Sequence, residues 1–322
     1  MSYNVTIFGI DFVLKPVAFT LPIGKGWDIY WYGIIIATGF LLALIYALRN
    51  SKRFSIDNDR MLDAVLVTTP VAILCARAYY IIFDPDTTFA DFFNFSGNAG
   101  FSGLAIYGGV IGAFACGFLM CKLRKINIAD MFDLAATCFL IGQGVGRWGN
   151  FINQEAYGTF TGSSWWGMQS ERTITEMGGE GLVHPCFLYE SVWCIVGFFL
   201  LNHFSKKRRF SGQLVLMYGA WYGLGRGFIE LLRTDSLMLG AFRVSSLLSF
   251  LLCAVCSILL VFFYKRSIAR ASESGYGDQF AEQLAEEAEK SGEIEEDSAS
   301  EAEQEEVLNE NIIEETENES VD

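Results

Sequence analysis

Apolar residues along this chain fall into seven long runs, at 29–48, 61–83, 104–121, 130–147, 185–203, 213–232 and 243–264, separated by shorter polar intervals. About 20 apolar residues in helical form cross the hydrocarbon core of a bilayer, so the pattern predicts about seven transmembrane helices. Two of the runs are interrupted. The fourth contains Gly144, Gly146 and Arg147, and the sixth contains Arg226 and Glu230.

The intervals alternate in charge. Fourteen basic residues, among them Arg49, Lys122 and the cluster Lys206 to Arg209, fall on one side of the seven runs, against five (Lys15, Lys25, Arg172, Arg233 and Arg243) on the other. Loops rich in Lys and Arg stay in the cytoplasm. The expected fold is therefore an all-α polytopic membrane protein with its N-terminus outside and its C-terminus cytoplasmic, an arrangement that needs an odd number of spans. Residues 1–28 form an extracytoplasmic N-terminal segment and 29–265 the membrane domain. Within that domain, 148–183 are expected to fold as a small extracytoplasmic cap. Residues 84–103, with the sequence FADFFNF, suit either an arm lying at the interface or a loop that touches the bilayer.

Composition agrees: 52% of residues are hydrophobic and 19% charged, too apolar for an ordinary soluble domain of 322 residues. The net charge of −14 misleads, because residues 271–322 hold 20 acids against one lysine, whereas the rest of the chain has 22 basic residues and 17 acids. The segment 266–322 is thus expected to be a disordered cytoplasmic tail. Nucleic acid is not expected as a partner. The eight cysteines lie mostly in apolar runs without partners at metal-ligand spacing. Cys253 and Cys256 have the spacing of a redox or zinc pair, but their surroundings favour packing. Neither metal nor cofactor is expected, nor is a removable signal peptide.

The informative residues are ionisable groups inside the runs, each costing about 2.5–3.5 kcal/mol at the centre of a span. Tyr222, Arg226, Glu230 and Arg233 are spaced four, four and three apart, one stripe of a helix. Glu230 can pair with Arg226 or Arg233, leaving the other guanidinium for an external anion; the alternative is an ion-pair ladder that only holds helices together. Asp133 lies in the fourth run. Arg147, Asn150 and Asn153 recur every three residues at its outer end, followed by Glu155. Whether the helix continues through them or Gly146 and Gly149 break it, the donors make an anion site. The pattern Gly144, Gly146, Gly149 formally matches a dinucleotide loop, but no strand precedes it; close helix packing explains it better. His184 opens the fifth run, with Glu190 further in. An arginine fork suits phosphate, so an anionic lipid headgroup in the outer leaflet is the first ligand to consider.

These stretches resemble a known family. GRWGNFINQEAYG (146–158), HPCFLYE (184–190), YGLGRGFIELLRTD (222–235), WYG (31–33) and YGG (107–109) resemble, in order, the motifs of bacterial prolipoprotein diacylglyceryl transferases. The resemblance covers residues 30 to about 265. It implies an enzyme that transfers the diacylglyceryl group of phosphatidylglycerol to the lipobox cysteine of a prolipoprotein signal peptide, releasing glycerol phosphate, in the bacterial cytoplasmic membrane with its site toward the outer leaflet. By position it implies that Arg147 is the phosphatidylglycerol-binding arginine, with Asn150, Asn153 and Glu155 the rest of that signature, that Arg226 is a second essential arginine, and that Tyr32, Asp133, Tyr222, Glu230 and Arg233 are functional. Where the family pattern reads His-Gly-Gly, this chain has Tyr107-Gly108-Gly109, so a histidine base at that position is not general. Glu155, Tyr107 and His184 remain candidates for the base. A transporter or a lipid-binding scaffold for an anionic ligand is the alternative reading.

Overall fold

In a computed structural model of the protein, residues 3–22, 27–84, 87, 92, 103–234, 238–239 and 242–273 are described. The chain forms two units, Met1–Phe262 and Phe263–Asp322. The second is described only to residue 273, as helix, and both the expected acidic tail beyond it and most of the expected arm at 84–103 lie outside the described residues.

Long helices stand at the places the apolar runs predict, α1 (Trp31–Asn50), α2 (Asn58–Phe83), α3 (Ile106–Leu123), α4 (Ile128–Ile152), α6 (Cys186–Ser205), α7 (Gln213–Glu230) and α8 (Val244–Glu273), the last running on past the first unit, and a short α5 (Glu171–Met177) lies outside those runs. Six of them are long and apolar enough to cross a membrane, and α7 falls outside that set. The protein is an all-α polytopic membrane protein. Local signals set the boundaries. The Asp57 side chain caps α2 by accepting from the Arg60 N–H, and the Asn127 side chain caps α4 by accepting from Ala129 and Asp130. Of the two alternatives left open at the end of the fourth run, the helix continues: α4 runs unbroken through Gly144, Gly146 and Gly149, as α7 does through Arg226.

With lipid outside, helices gain little from burying apolar faces on each other, and small residues that permit close approach take over. Gly144 faces α6, where the Ser191 hydroxyl donates to its carbonyl at 2.7 Å. A Cβ on Gly223 would lie 2.7 Å from the Ser249 carbonyl oxygen of α8. Cys256 packs against Gly219 and, like the other seven cysteines, is a free thiol.

At the end where α4 starts, Asp133 is fully buried. It accepts from the backbone N–H groups of Gly212 and Val215, each at 2.9 Å, and from Arg208 at 3.0 Å. One carboxylate thereby caps the start of α7, replacing the side-chain cap that Gly212 cannot supply. Asp130 joins Arg208 at 2.8 Å.

At the opposite end lies the cap, and here the sequence reading is extended. The N-terminal segment is not a simple lead-in but forms β1 (Tyr3–Ile7), β2 (Ile10–Leu14), β3 (Val17–Leu21) and β4 (Trp27–Tyr30). β1 pairs antiparallel with β2 and with β5 (Met168–Ser170), giving a three-stranded sheet in the order β2-β1-β5. Val5, Phe151, Tyr157, Met168, Val183 and Phe187 form its core on the ends of α4 and α6. The cap thus draws on residues 3–14 as well as the segment after α4, which itself begins only after Ile152.

Removing Asp133 leaves two buried backbone donors without their acceptor and takes one of two carboxylates from Arg208. Asp133→Ala is expected to destabilise the protein by about 3–5 kcal/mol, read as a lowered thermal unfolding midpoint in detergent.

Candidate active site

Beneath the cap, α4, α6 and α7 each deliver a charged group to one point. Arg147 of α4 and Arg226 of α7 both pair with Glu190 of α6, one on each carboxylate oxygen. Glu190 is 3% exposed, the two arginines about a fifth. Arg226 also reaches Glu230, one turn further along α7, at 2.7 Å. Two guanidinium groups this close repel, and burial strengthens the repulsion; the shared carboxylate converts it into attraction. Each guanidinium carries five N–H donors, so contacts with carboxylates leave donors over.

Arg147 also lines a polar cavity of about 330 Å3, together with Asn150, Glu155, Arg172, Glu176 and Arg233. The cavity wall is made where the chain leaves α4. Asn153 caps the helix, and then Gln154 and Ala156 adopt left-handed backbone conformations, φ 57° and 56°, on either side of Glu155. Non-glycine residues in that region are strained. Gln154 is fully buried and its side-chain oxygen accepts from the Arg172 N–H at 3.4 Å. Arg172, on α5, fastens the turn by donating to the Asn153 carbonyl at 3.2 Å, to Glu155 at 3.4 Å and to Glu176 at 2.7 Å. The Glu176 hydrogen bond holds the Arg172 guanidinium pKa above its ordinary value, so it stays charged. Tyr157 donates to Glu176 in turn.

The structure sorts the residues singled out by sequence. Arg147, Asn150, Glu155 and Arg233 meet at the cavity; Arg226 pairs with Glu190, and Glu230 with Arg226. The expected choice for Glu230 falls on Arg226. Arg233 leaves the helical stripe because α7 ends at Glu230; it bridges to Gly158, and its carbonyl accepts from Arg243 at 2.7 Å. Asn153 contributes its carbonyl to Arg172. The Tyr32 ring packs where a Cβ of Gly149 would stand, 2.6 Å from that position, which places α1 beside Asn150. Tyr222 stacks on Tyr218 with centroids 5.5 Å apart.

Besides Asn153, Tyr32, Tyr222, Arg226 and Glu230, three more of the residues singled out by sequence do not line the cavity. Asp133 lies 14 residues from Arg147 on α4, about 21 Å along the axis, where it holds α7. Tyr107 is 70% exposed on the first turn of α3, near Tyr79. His184 sits at the cap, its Nδ1 3.2 Å from the Tyr189 hydroxyl. Sequence reading gave no role to Glu190, Arg172 or Glu176. A lone acid in the apolar run CFLYESVWCIVG is a signal for Glu190; for Arg172 and Glu176 only the folded cap reveals it.

The sequence profile of the prolipoprotein diacylglyceryl transferases matches residues 16–262. This chain belongs to that family. The phosphatidylglycerol–prolipoprotein diacylglyceryl transferase of Clostridium novyi (strain NT) is 39% identical over 255 residues, 77% of this chain and 95% of the relative. That of Bacillus cereus (strain G9842) is 44% identical over 236 residues, 72% of this chain and 87% of the relative. The same-named protein of Clostridioides difficile (strain 630) is 40% identical over 240 residues, covering 73% and 90%. As a member of the prolipoprotein diacylglyceryl transferase family, the chain is a transferase.

Two outcomes follow from this geometry. Glu190→Gln keeps the shape but removes the charge shared by two arginines, and is expected to cost about 3–5 kcal/mol of stability, measured by thermal unfolding in detergent. Burial lowers the His184 pKa below the ordinary 6.5, so the folded protein keeps this imidazole neutral where the unfolded chain protonates it. Its contribution is present above pH 6.5 and lost as pH falls below that value. The unfolding midpoint of the wild type should therefore drop more steeply than that of His184→Gln between pH 7 and 5.

Proposed function

We propose that this protein transfers the diacylglyceryl group of phosphatidylglycerol to the lipobox cysteine thiol of a prolipoprotein, the first step of bacterial lipoprotein maturation, and releases glycerol phosphate. The observation that carries the reading is the pair of arginines from separate helices held on Glu190, with Arg147 lining a polar cavity at one end of an apolar helical body. The names of the relatives supply both substrates. The family membership argues against the transporter and scaffold readings.

In this reading α7, although more polar than the other long helices, crosses as the seventh span: its 18 residues reach about 27 Å, close to the ~30 Å of the hydrocarbon core. The charge bias then puts the N-terminus and cap outside and the cavity at the outer leaflet of the cytoplasmic membrane. Residues 29–265 make the catalytic domain and 266–322 a cytoplasmic tail.

The reaction forms a carbon–sulfur bond to the glyceryl carbon as its carbon–oxygen bond to phosphate breaks. The electron pair of that bond departs with the phosphate, and the thiol proton goes to a base. Arg147, Arg226 and Asn150 hold the phosphate and offset the charge that develops on it, the contribution that usually dominates. A thiol of ordinary pKa ~8.5 attacks as thiolate. Of the three candidate bases, Glu155 alone lines the cavity, and the strained turn around it fixes its place. Tyr107 and His184 do not line that cavity, and binding roles for Tyr32 and Tyr222 would be played from its flank.

Purified protein with labelled phosphatidylglycerol and a lipobox peptide tests the proposal: lipidated peptide is expected, and uptake into vesicles without lipidation would overturn it in favour of a carrier. Arg147→Ala and Arg226→Ala are each expected to lower the rate on the order of 100-fold or more, with poor rescue by lysine, which lacks the fork. In pH–rate profiles, Glu155→Gln should lose the limb that reports the base while Tyr107→Phe keeps it; the reverse pattern would move the base to Tyr107.

A further inference from the structure

Trp193 of α6 and Trp221 of α7 stack with ring centroids 4.3 Å apart and planes 14° from parallel. Their hydrogen bonds are reciprocal: the Trp193 indole N–H donates to the Trp221 carbonyl at 2.9 Å, and the Trp221 indole N–H donates to the Trp193 carbonyl at 3.0 Å. Four residues after each tryptophan stands a glycine, Gly197 and Gly225, and each indole fills the space that the partner helix's glycine leaves. A helix carbonyl already accepts from the N–H four residues on. Its second lone pair is reached past the side chain at that same position, and glycine removes the obstacle. Trp-x-x-x-Gly written once on each of two antiparallel helices therefore makes a clasp with twofold symmetry.

The clasp has one register. In an apolar surrounding no water takes over an indole N–H, and sliding α7 by one residue, about 1.5 Å, would break both bonds and drive each ring into a side chain. Glu190 lies one turn before Trp193, and Arg226 directly follows Gly225. We propose that Trp193 and Trp221 are positioning residues for the transfer reaction: their reciprocal clasp sets the register of α7 on α6 and so holds Arg226 on Glu190 in the geometry that receives the phosphate. Neither indole touches substrate; both act through Arg226. The inference rests on the function proposed above.

The experiment measures kcat and KM with phosphatidylglycerol vesicles and a lipobox peptide, beginning with the wild type. If the wild type transfers nothing, the functional reading fails. Given wild-type transfer, Trp193→Phe and Trp221→Phe keep an aromatic ring and lose the N–H. Each is expected to lower kcat about tenfold or more, as a displacement on the order of 1 Å does, with KM for phosphatidylglycerol and the unfolding midpoint unchanged. The double variant should lose less than the product of the two single losses, because both bonds belong to one unit. In an Arg226→Lys background the same substitutions should leave the residual rate as it is. Wild-type kcat in the folded fraction of both single variants overturns the proposal. So does an equal fold loss with lysine at 226, since the tryptophans would then act elsewhere.

Discussion

Two arginines from different helices can share one point in an apolar body only if a negative charge stands between them, and the capped end of this protein is organised around that requirement. Glu190 supplies the charge. At a few ångströms in a medium less polar than water, like charges repel by several kcal/mol, so without the carboxylate the ends of α4 and α7 would be pushed apart. With it, the same charges draw α4, α6 and α7 together, and the attraction is aimed at the residues that line the cavity. The protein thereby uses one interaction for cohesion and for the electrostatic character of the site.

The opposite end of α4 repeats the device with other partners. Asp133, about 21 Å away, binds Arg208 and two backbone N–H groups at the start of α7. The helix is thus fixed at both ends by a buried carboxylate, one its own and one borrowed from α6. Between them, glycines and small residues let the backbones touch. This division suits a lipid solvent, which gives helices little reason to associate by apolar burial, so polar anchors and close packing share the task. It also accounts for Asp133, buried far from the cavity: it sets where α7 begins, and α7 carries Arg226.

Much of this was legible in the sequence. Each of the seven apolar runs coincides with a long helix among the described residues, six of them apolar enough to cross a membrane, because the hydrophobic requirement of the bilayer leaves few alternatives. The arginine and asparagine spacing pointed to Arg147 and Asn150, and both line the cavity. What was missed shares a physical cause, namely that the pairing is non-local. Glu190 could be seen as an acid in an apolar run, but its two partners lie 43 and 36 residues away, on other helices. The N-terminal strands were visible in principle: VTI and DFV flank Phe8-Gly9, whose φ values of 51° and 78° make the two-residue turn of a hairpin. Membrane-scale hydropathy hides so short a pattern. That β1 also pairs with Met168–Ser170 could be read from no local signal.

The pairing of β1 with β5 also bears on how the chain is made. The first strand leaves the ribosome with β2 beside it and one edge open, and its second partner is some 160 residues downstream. At typical rates of synthesis this is an interval of roughly 10 to 30 s, during which α1 to α4 must be threaded into the bilayer. The open edge of β1 is a pairing surface for any extended chain nearby until then. Closure of the cap is consequently a late event in biogenesis, and the cavity that α5 walls off is finished only after most of the helical body is already in place.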